Sequence, residues 1–360
     1  MPDGGDGRGF RAPGRVNLIG EHTDYNEGFV LPIAIDLECV VRVGRAGGDR
    51  VRLRSTQLGG EVELPADGSA EPALTRPAWG RYAAGVVRVL AELGRPAVGF
   101  EGEVSSTVPI AAGLSSSAAF EVAVALALCD AAGFEPPPLE LAQACQRGEL
   151  VATGVPCGIM DQLTSIAGRR GSALLIDCRS LDVDPIPLPP GLAVLVVHSG
   201  VPRELAGSAY AERRRECEEA AARLGLRALR DATLDQVAGW PRARHVVSEN
   251  ARVNAAVEAL RAGDAARLGG LLGEGHASLR DDFEVSTPEL DTLVELLVEA
   301  GALGARLTGA GFGGCVVALA STDRALEVGE AAAVRYRAET GREPRVFVCR
   351  AADGAGPVAT

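Results

Sequence analysis

LTGAGFGGC, Leu307 to Cys315, superficially satisfies G-x-G-x-x-G through Gly309, Gly311 and Gly314. A dinucleotide-binding fingerprint leaves a strand and opens a helix, so that the pyrophosphate meets the free N–H groups of the helix start. Here strand-like apolar runs flank the glycines on both sides, ending in CVVALA. The stretch therefore predicts a tight, backbone-exposing loop between two strands, either a hairpin or a wall of an active site, and a Rossmann fold is rejected. Working outward, Thr287 can cap and Pro288 can open a helix over 288–301. A helix over 324–339 and a last strand, RVFVCR, follow, which gives an α+β order like the split β-α-β.

The half containing these elements begins with the strand LAVLVVH, and helices are expected over 211–224, 253–262 and 265–279. The proline-rich DVDPIPLPPG, Asp182 to Gly191, reads as a connection, so we divide the chain into domains 1–188 and 189–360. The first half begins with sheet: two strands within 28–43, others at 51–54, 61–64 and 98–104, and SALLID at 172–177. Apolar residues at helical spacing predict helices over 79–93, 118–132 and 139–152. The first ten residues and the tail after Ala351 are expected to be disordered.

Composition removes several function classes. The chain has 360 residues, more than one compact core usually holds, and a formal charge of −12. All 36 basic residues are arginine. Without lysine there is no Walker A loop, no protein-kinase strand lysine and no Schiff base. An acidic chain with 4% aromatic residues suits neither phosphate neutralisation nor base stacking, so no nucleic-acid partner is expected. Eight cysteines without a C-x-x-C pair read as reduced cytoplasmic thiols, and four histidines show no zinc-ligand spacing. The apolar stretch 118–134 is broken by Glu121 and Asp130, and MPDGGDGRGFRAPGR has no apolar signal region, so neither a membrane span nor an export signal is expected.

Three further segments carry candidate chemistry. TVPIAAGLSSSAAF, 107–120, sets a flexible Gly and three hydroxyls where a strand gives way to a helix, which favours a phosphate. Helix capping by one serine is the alternative. In GELVATGVPCGIMDQLTSIAG, 148–168, Glu149 and Asp161 stand among apolar residues, and a buried acid there needs a partner such as Arg15. A first-turn position in a short helix would also account for Asp161. GRVNLIGEHTDYNEGFVLPIAI, 14–35, gathers Arg15, Glu21, His22, Asp24 and Asn26 ahead of an apolar run. An acidic surface turn would explain Asp24 and Asn26 alone.

Together these segments resemble the GHMP small-molecule kinases, and within them the galactokinases, over nearly the whole chain. GRVNLIGEHTDYN is similar to the galactokinase signature, VPIAAGLSSSA to the phosphate loop, GVPCGIMDQ to the catalytic-acid segment and LTGAGFGGC to the third Gly-rich motif. RRRECEEAA (213–221) and HASLRDDFEVSTPELD (276–291) match further segments. The resemblance implies a two-domain fold, an N-terminal mixed-sheet domain with helices and a C-terminal ferredoxin-like domain, with the active site in the cleft between them. It implies ATP-dependent phosphorylation of the C1 hydroxyl of α-D-galactose by a cytoplasmic monomer. A kinase for a related sugar, or a non-catalytic sensor of galactose and ATP on the same fold, are the alternatives.

By the same resemblance, Asp161 is the catalytic acid and Arg15 steadies charge near the transferred phosphoryl group. Glu21, His22, Thr23, Asp24, Gly158 and Tyr210 are implied as sugar contacts. A polyhydroxyl ligand needs several fixed donors and acceptors, because one left unpaired penalises the wrong epimer. Ala111, Ala112, Gly113, Leu114, Ser115, Ser116 and Ser117 are implied around the phosphates, Ser55 and Trp79 beside the nucleotide, and Ser117 and Glu149 as Mg2+ ligands. Oxygen donors and few protein contacts suit that ion.

Overall fold

The computed structural model describes residues 7–110, 112–201 and 206–358. In chain order the elements begin with Gly9–Asn17 (β1), Phe29–Val30 (β2), Pro32–Ala46 (β3), Arg50–Ser55 (β4), Glu61–Pro65 (β5), Gly80–Glu92 (α1) and Phe100–Ser106 (β6). Ser116–Ala132 (α2), Pro138–Thr153 (α3), Met160–Ala167 (α4), Ser172–Asp177 (β7) and Val183–Pro187 (β8) follow. Then come Leu192–His198 (β9), Ala206–Arg223 (α5), Pro241–Ala262 (α6), Ala265–Asp281 (α7) and Pro288–Glu299 (α8). The chain closes with Gly304–Thr308 (β10), Cys315–Ser321 (β11), Ala325–Thr340 (α9), Arg345–Cys349 (β12) and Gly356–Pro357 (β13).

A six-stranded sheet of order β13-β1-β3-β6-β4-β5 is antiparallel except where β4 runs parallel to β6. A four-stranded antiparallel sheet has the order β10-β11-β9-β12. With β9 as its first strand, that order is ferredoxin-like, and LTGAGFGGC is the turn of the β10–β11 hairpin. Gly309, Gly311, Gly313, Gly314 and even Phe312 hold positive φ there, which is why glycine dominates the loop. A small sheet has the order β2-β7-β8 and packs against β3 and α6.

Burial explains the apolar runs. In β9, Val194 and Val196 enter one core and Ala193, Leu195 and Val197 the other, so the strand is apolar throughout rather than alternating. Helix α2 is likewise surrounded, with Ala118, Val122, Val124, Ala125 and Leu128 fully buried.

Four expectations are corrected. Within DVDPIPLPPG, Val183–Pro187 is a strand pairing with β7, tolerated because β8 is an edge strand whose prolines need not donate. The first ten residues are not wholly disordered: Gly9 and Phe10 begin β1, a strand with poor intrinsic preference that is held by β3 and β13. The tail after Ala351 returns to the first sheet, pairing Pro357 with Phe10. Helix α6 starts at Pro241, twelve residues before the expected start at Val253, because its first half buries His245, Glu249 and Asn250 beside Ala243 and Val246, and the polar residues interrupt the apolar period.

Candidate active site

The sugar signature, the phosphate loop, α4 and the β10–β11 turn meet around one cavity of about 280 Å3. Arg15 projects from β1, and its Nε and Nη2 donate to the two Asp161 oxygens at 2.8 Å each. Its Nη1 donates to the Gly113 carbonyl at 2.7 Å, and its backbone N–H to the Leu114 carbonyl at 3.1 Å. The Ser115 hydroxyl also donates to Asp161. Ser115 caps α2 in the left-handed region, φ 57°, a conformation a non-glycine residue keeps only where its surroundings impose it. Asp161 does lie in the first turn of a short helix, but its carboxylate points to Arg15 and Ser115 rather than to a backbone cap.

Glu21, His22 and Asp24 line the same cavity with Gly158 and Tyr210. His22 sits in left-handed backbone, φ 64°, with Nδ1 2.9 Å from the Tyr25 hydroxyl and its ring 4.5 Å from the Phe283 ring centroid. Burial pushes its imidazole down to about 3, so it is neutral. Burial raises the Asp24 carboxyl to about 6. Gly158 serves this acid: a Cβ there would lie 1.7 Å from Asp24 Oδ2. Thr23 is fully buried and does not line the cavity; its hydroxyl lies 2.8 Å from the Gly20 carbonyl and 2.6 Å from that of Phe29, closing the loop.

At the α2 end of the cavity, Ser117 donates to Glu149 at 3.0 Å, and burial followed by the Asp161 charge raises the Glu149 carboxyl. Ser116 and Ser117 also border a second, more apolar cavity of about 280 Å3 that contains Ser55, Trp79, Tyr82, Ile110 and Phe120. The Trp79 and Phe120 rings meet edge to face at 5.8 Å. Ala112 and Leu114 are buried behind the loop, and the Ala112 carbonyl accepts from the Cys315 thiol at 2.8 Å. Ala111 lies outside the described residues.

Residues 4–45 match the galactokinase galactose-binding signature, 81–169 the GHMP kinases N-terminal domain and 256–337 the GHMP kinases C-terminal domain. A galactokinase from Roseiflexus sp. (strain RS-1) is 47% identical, covering 97% of this chain and 92% of its own. The chain belongs to the galactokinase family. A crystal structure of Lactococcus lactis galactokinase complexed with galactose superposes with a TM-score of 0.92 at 34% identity, over 99% of this chain and 96% of that one. Methanococcus jannaschii mevalonate kinase shares the fold, with a TM-score of 0.73 at 21% identity over 98% and 100% of the two chains. As a member of this family the chain is an enzyme, a galactose-phosphorylating kinase.

Several residues that build this galactokinase-family site escaped the sequence analysis. Gln162 donates to Glu121 at 3.0 Å and to Glu149 at 2.7 Å, tying Glu149 to a fully buried acid that burial keeps well above the usual carboxylate range. On α6, His245 Nε2 lies 3.2 Å from the Glu21 carbonyl, Glu249 accepts from the Gly20 N–H at 2.9 Å, and Asn250 accepts from the Phe29 N–H at 2.9 Å. Three residues of one helix thus brace the sugar signature. The signal available was an acid or arginine inside an apolar element, Glu121 in AAFEVAVALAL and Arg306 in GARLT, since such a charge demands a partner.

Proposed function

We propose that α-D-galactose occupies the cavity between Glu21, His22, Asp24, Gly158 and Tyr210, with Asp161 at its C1 hydroxyl. The observation that supports this best is the Asp161 carboxylate, clamped by Arg15 and Ser115 where the sugar signature meets the phosphate loop. Asp161 accepts the hydrogen bond of the C1 hydroxyl and turns that oxygen toward the γ-phosphorus of ATP. As the bond from O1 to phosphorus forms and the bond to the β-phosphate oxygen breaks, the proton passes to Asp161 and then to solvent, and ADP leaves. Arg15 keeps the carboxylate in place and offsets charge on the transferring phosphoryl oxygens.

Residues 111–117 hold the phosphates, and the adenine enters the apolar cavity beside Ser55 and Trp79. Ser117 and Glu149 suit Mg2+, a hard ion that takes hydroxyl and carboxylate oxygens and retains water. The ion supplies charge neutralisation on the ATP phosphates. Residues 1–188 and 189–360 form the two lobes, with β13 returning to the first. The protein acts as a cytoplasmic monomer; no helix among the described residues is long and apolar enough to cross a membrane.

The test is ADP release from ATP and Mg2+ with galactose, glucose, N-acetylgalactosamine, galacturonate, arabinose and talose. Turnover selective for galactose is expected. Preference for another sugar would reassign the pocket, and no turnover combined with galactose protection against heat would make the protein a sensor.

A further inference from the structure

Arg306 is the third residue of β10 and is fully buried, as are the two carboxylates that flank it. Its Nη2 lies 2.6 Å from Glu21 Oε2 and its Nη1 2.7 Å from Glu249 Oε1. The second Glu21 oxygen accepts from the Gly309 N–H at 3.3 Å and lies 3.3 Å from the Thr308 hydroxyl, which is 2.9 Å from the Asn17 carbonyl. Glu249 in turn accepts from Arg252 Nε at 2.7 Å and from the Gly20 N–H at 2.9 Å. The cluster sets two guanidiniums, Arg306 and Arg252, against two carboxyl groups, so no buried charge in it is left without a partner of opposite kind. Room for it comes from α7, where a Cβ on Gly275 would lie 2.5 Å from Arg306 Nη1.

The cluster's hydrogen bonds and ion pairs run to β10, α6 and the sugar signature rather than to the Arg15–Asp161 pair, yet one of its members, Glu21, lines the sugar cavity. A buried acceptor with free rotamers would face a sugar hydroxyl only part of the time, and fixing it beforehand removes that cost from binding. We propose that Arg306, with Glu249 behind it, is a positioning residue for sugar recognition, holding Glu21 aimed into the cavity from the ferredoxin-like lobe. Arg306 contacts no ligand itself. The inference rests on the reading that Glu21 is a sugar contact. It also gives the β10–β11 hairpin two roles: its turn walls the cavity through Gly309 and Ala310, and its first strand orients Glu21.

The experiment is a double-mutant cycle on galactose affinity, measured calorimetrically on the full chain without turnover, with ATP affinity as the control. The variants are Glu21→Gln, Arg306→Lys and both together; lysine keeps the charge and loses the two-sided fork. Each single change is expected to weaken galactose by about tenfold or more. The double variant should be no weaker than Glu21→Gln alone, with ATP affinity within about twofold throughout. Additive losses, or an equal loss of ATP affinity in Arg306→Lys, would overturn the positioning role. Unchanged galactose affinity in Glu21→Gln would instead remove Glu21 from the sugar site, and the proposal with it. If Arg306→Lys does not fold, Glu249→Gln takes its place in the cycle, with the same non-additivity expected and the same additivity overturning the proposal.

Discussion

Arg15 and Arg306 each grip a carboxylate that lines the same cavity, in opposite surroundings. The Asp161 side chain is 27% exposed beside Arg15, whereas Arg306 and Glu21 are entirely buried. Arg15, on β1, draws its partners from the first lobe: the phosphate loop and α4. Arg306 joins the sugar signature to β10 and, through Glu249, to α6. The Arg15–Asp161 pair, open to the cavity, can exchange partners with a ligand, whereas Arg306 lies behind Glu21, out of a ligand's reach, and can only hold that carboxyl in place. The open pair is therefore suited to chemistry and the sealed one to holding shape.

The largest effect expected from this contrast is at the open pair. Asp161→Asn should lower kcat by about 10²-fold or more while galactose still binds, read by single-turnover kinetics and calorimetry. Near-normal turnover would break the distinction.

A smaller effect is expected where shape alone is changed. Gly158→Ala brings a Cβ to within 1.7 Å of Asp24 Oδ2 and so displaces that acid. The galactose KM should rise by about tenfold with the ATP KM unchanged, and an unchanged galactose KM would show that Asp24 is not needed where it stands.

The smallest effect concerns pH. Burial, opposed by the Arg306 charge, raises the Glu21 carboxyl to about 7, and burial raises that of Asp24 to about 6 although Arg15 and Arg214 pull the other way. Glu249 and Asp161 push in the same direction as burial on Glu21 and Asp24 respectively. Both folded pKa values exceed the unfolded ones, so the folded chain binds more protons between about pH 4 and 7, and these groups withdraw stability as pH climbs through that window. If galactose binds as proposed, with Glu21 and Asp24 accepting its hydroxyls as carboxylates, it should bind several-fold more tightly at about pH 8 than at about pH 5.5. Calorimetry at both pH values checks this, and a larger rise of Tm with galactose at the higher pH should accompany it. A flat profile would mean that neither acid titrates against the sugar.

Much of this was legible in the chain. LTGAGFGGC reads as an inter-strand loop because strand-like runs flank it, and the structure adds that Gly309 and Ala310 also line the cavity. Asp161 and Arg15 could be paired from an acid among apolar neighbours and an arginine in a polar cluster. The β8 strand was hidden by its prolines, β1 by its mixed composition, and the first half of α6 by its buried polar residues. In each case tertiary partners satisfy what local preference would reject.

The sequence by itself determined the element types with long apolar periods, the exclusion of lysine-dependent chemistry, and the motifs that mark the family. These depend on neighbours a few positions apart, where spacing is geometry. Tertiary structure alone decided that Thr23 closes its loop rather than facing the cavity, that Gly158 makes room for Asp24, and that Arg306 and Glu249 stand behind Glu21. Arg306 and Glu21 are 285 positions apart in the chain and 2.6 Å apart in space. Such a contact is set by how two lobes pack, and a residue buried by that packing carries no local mark of its partner.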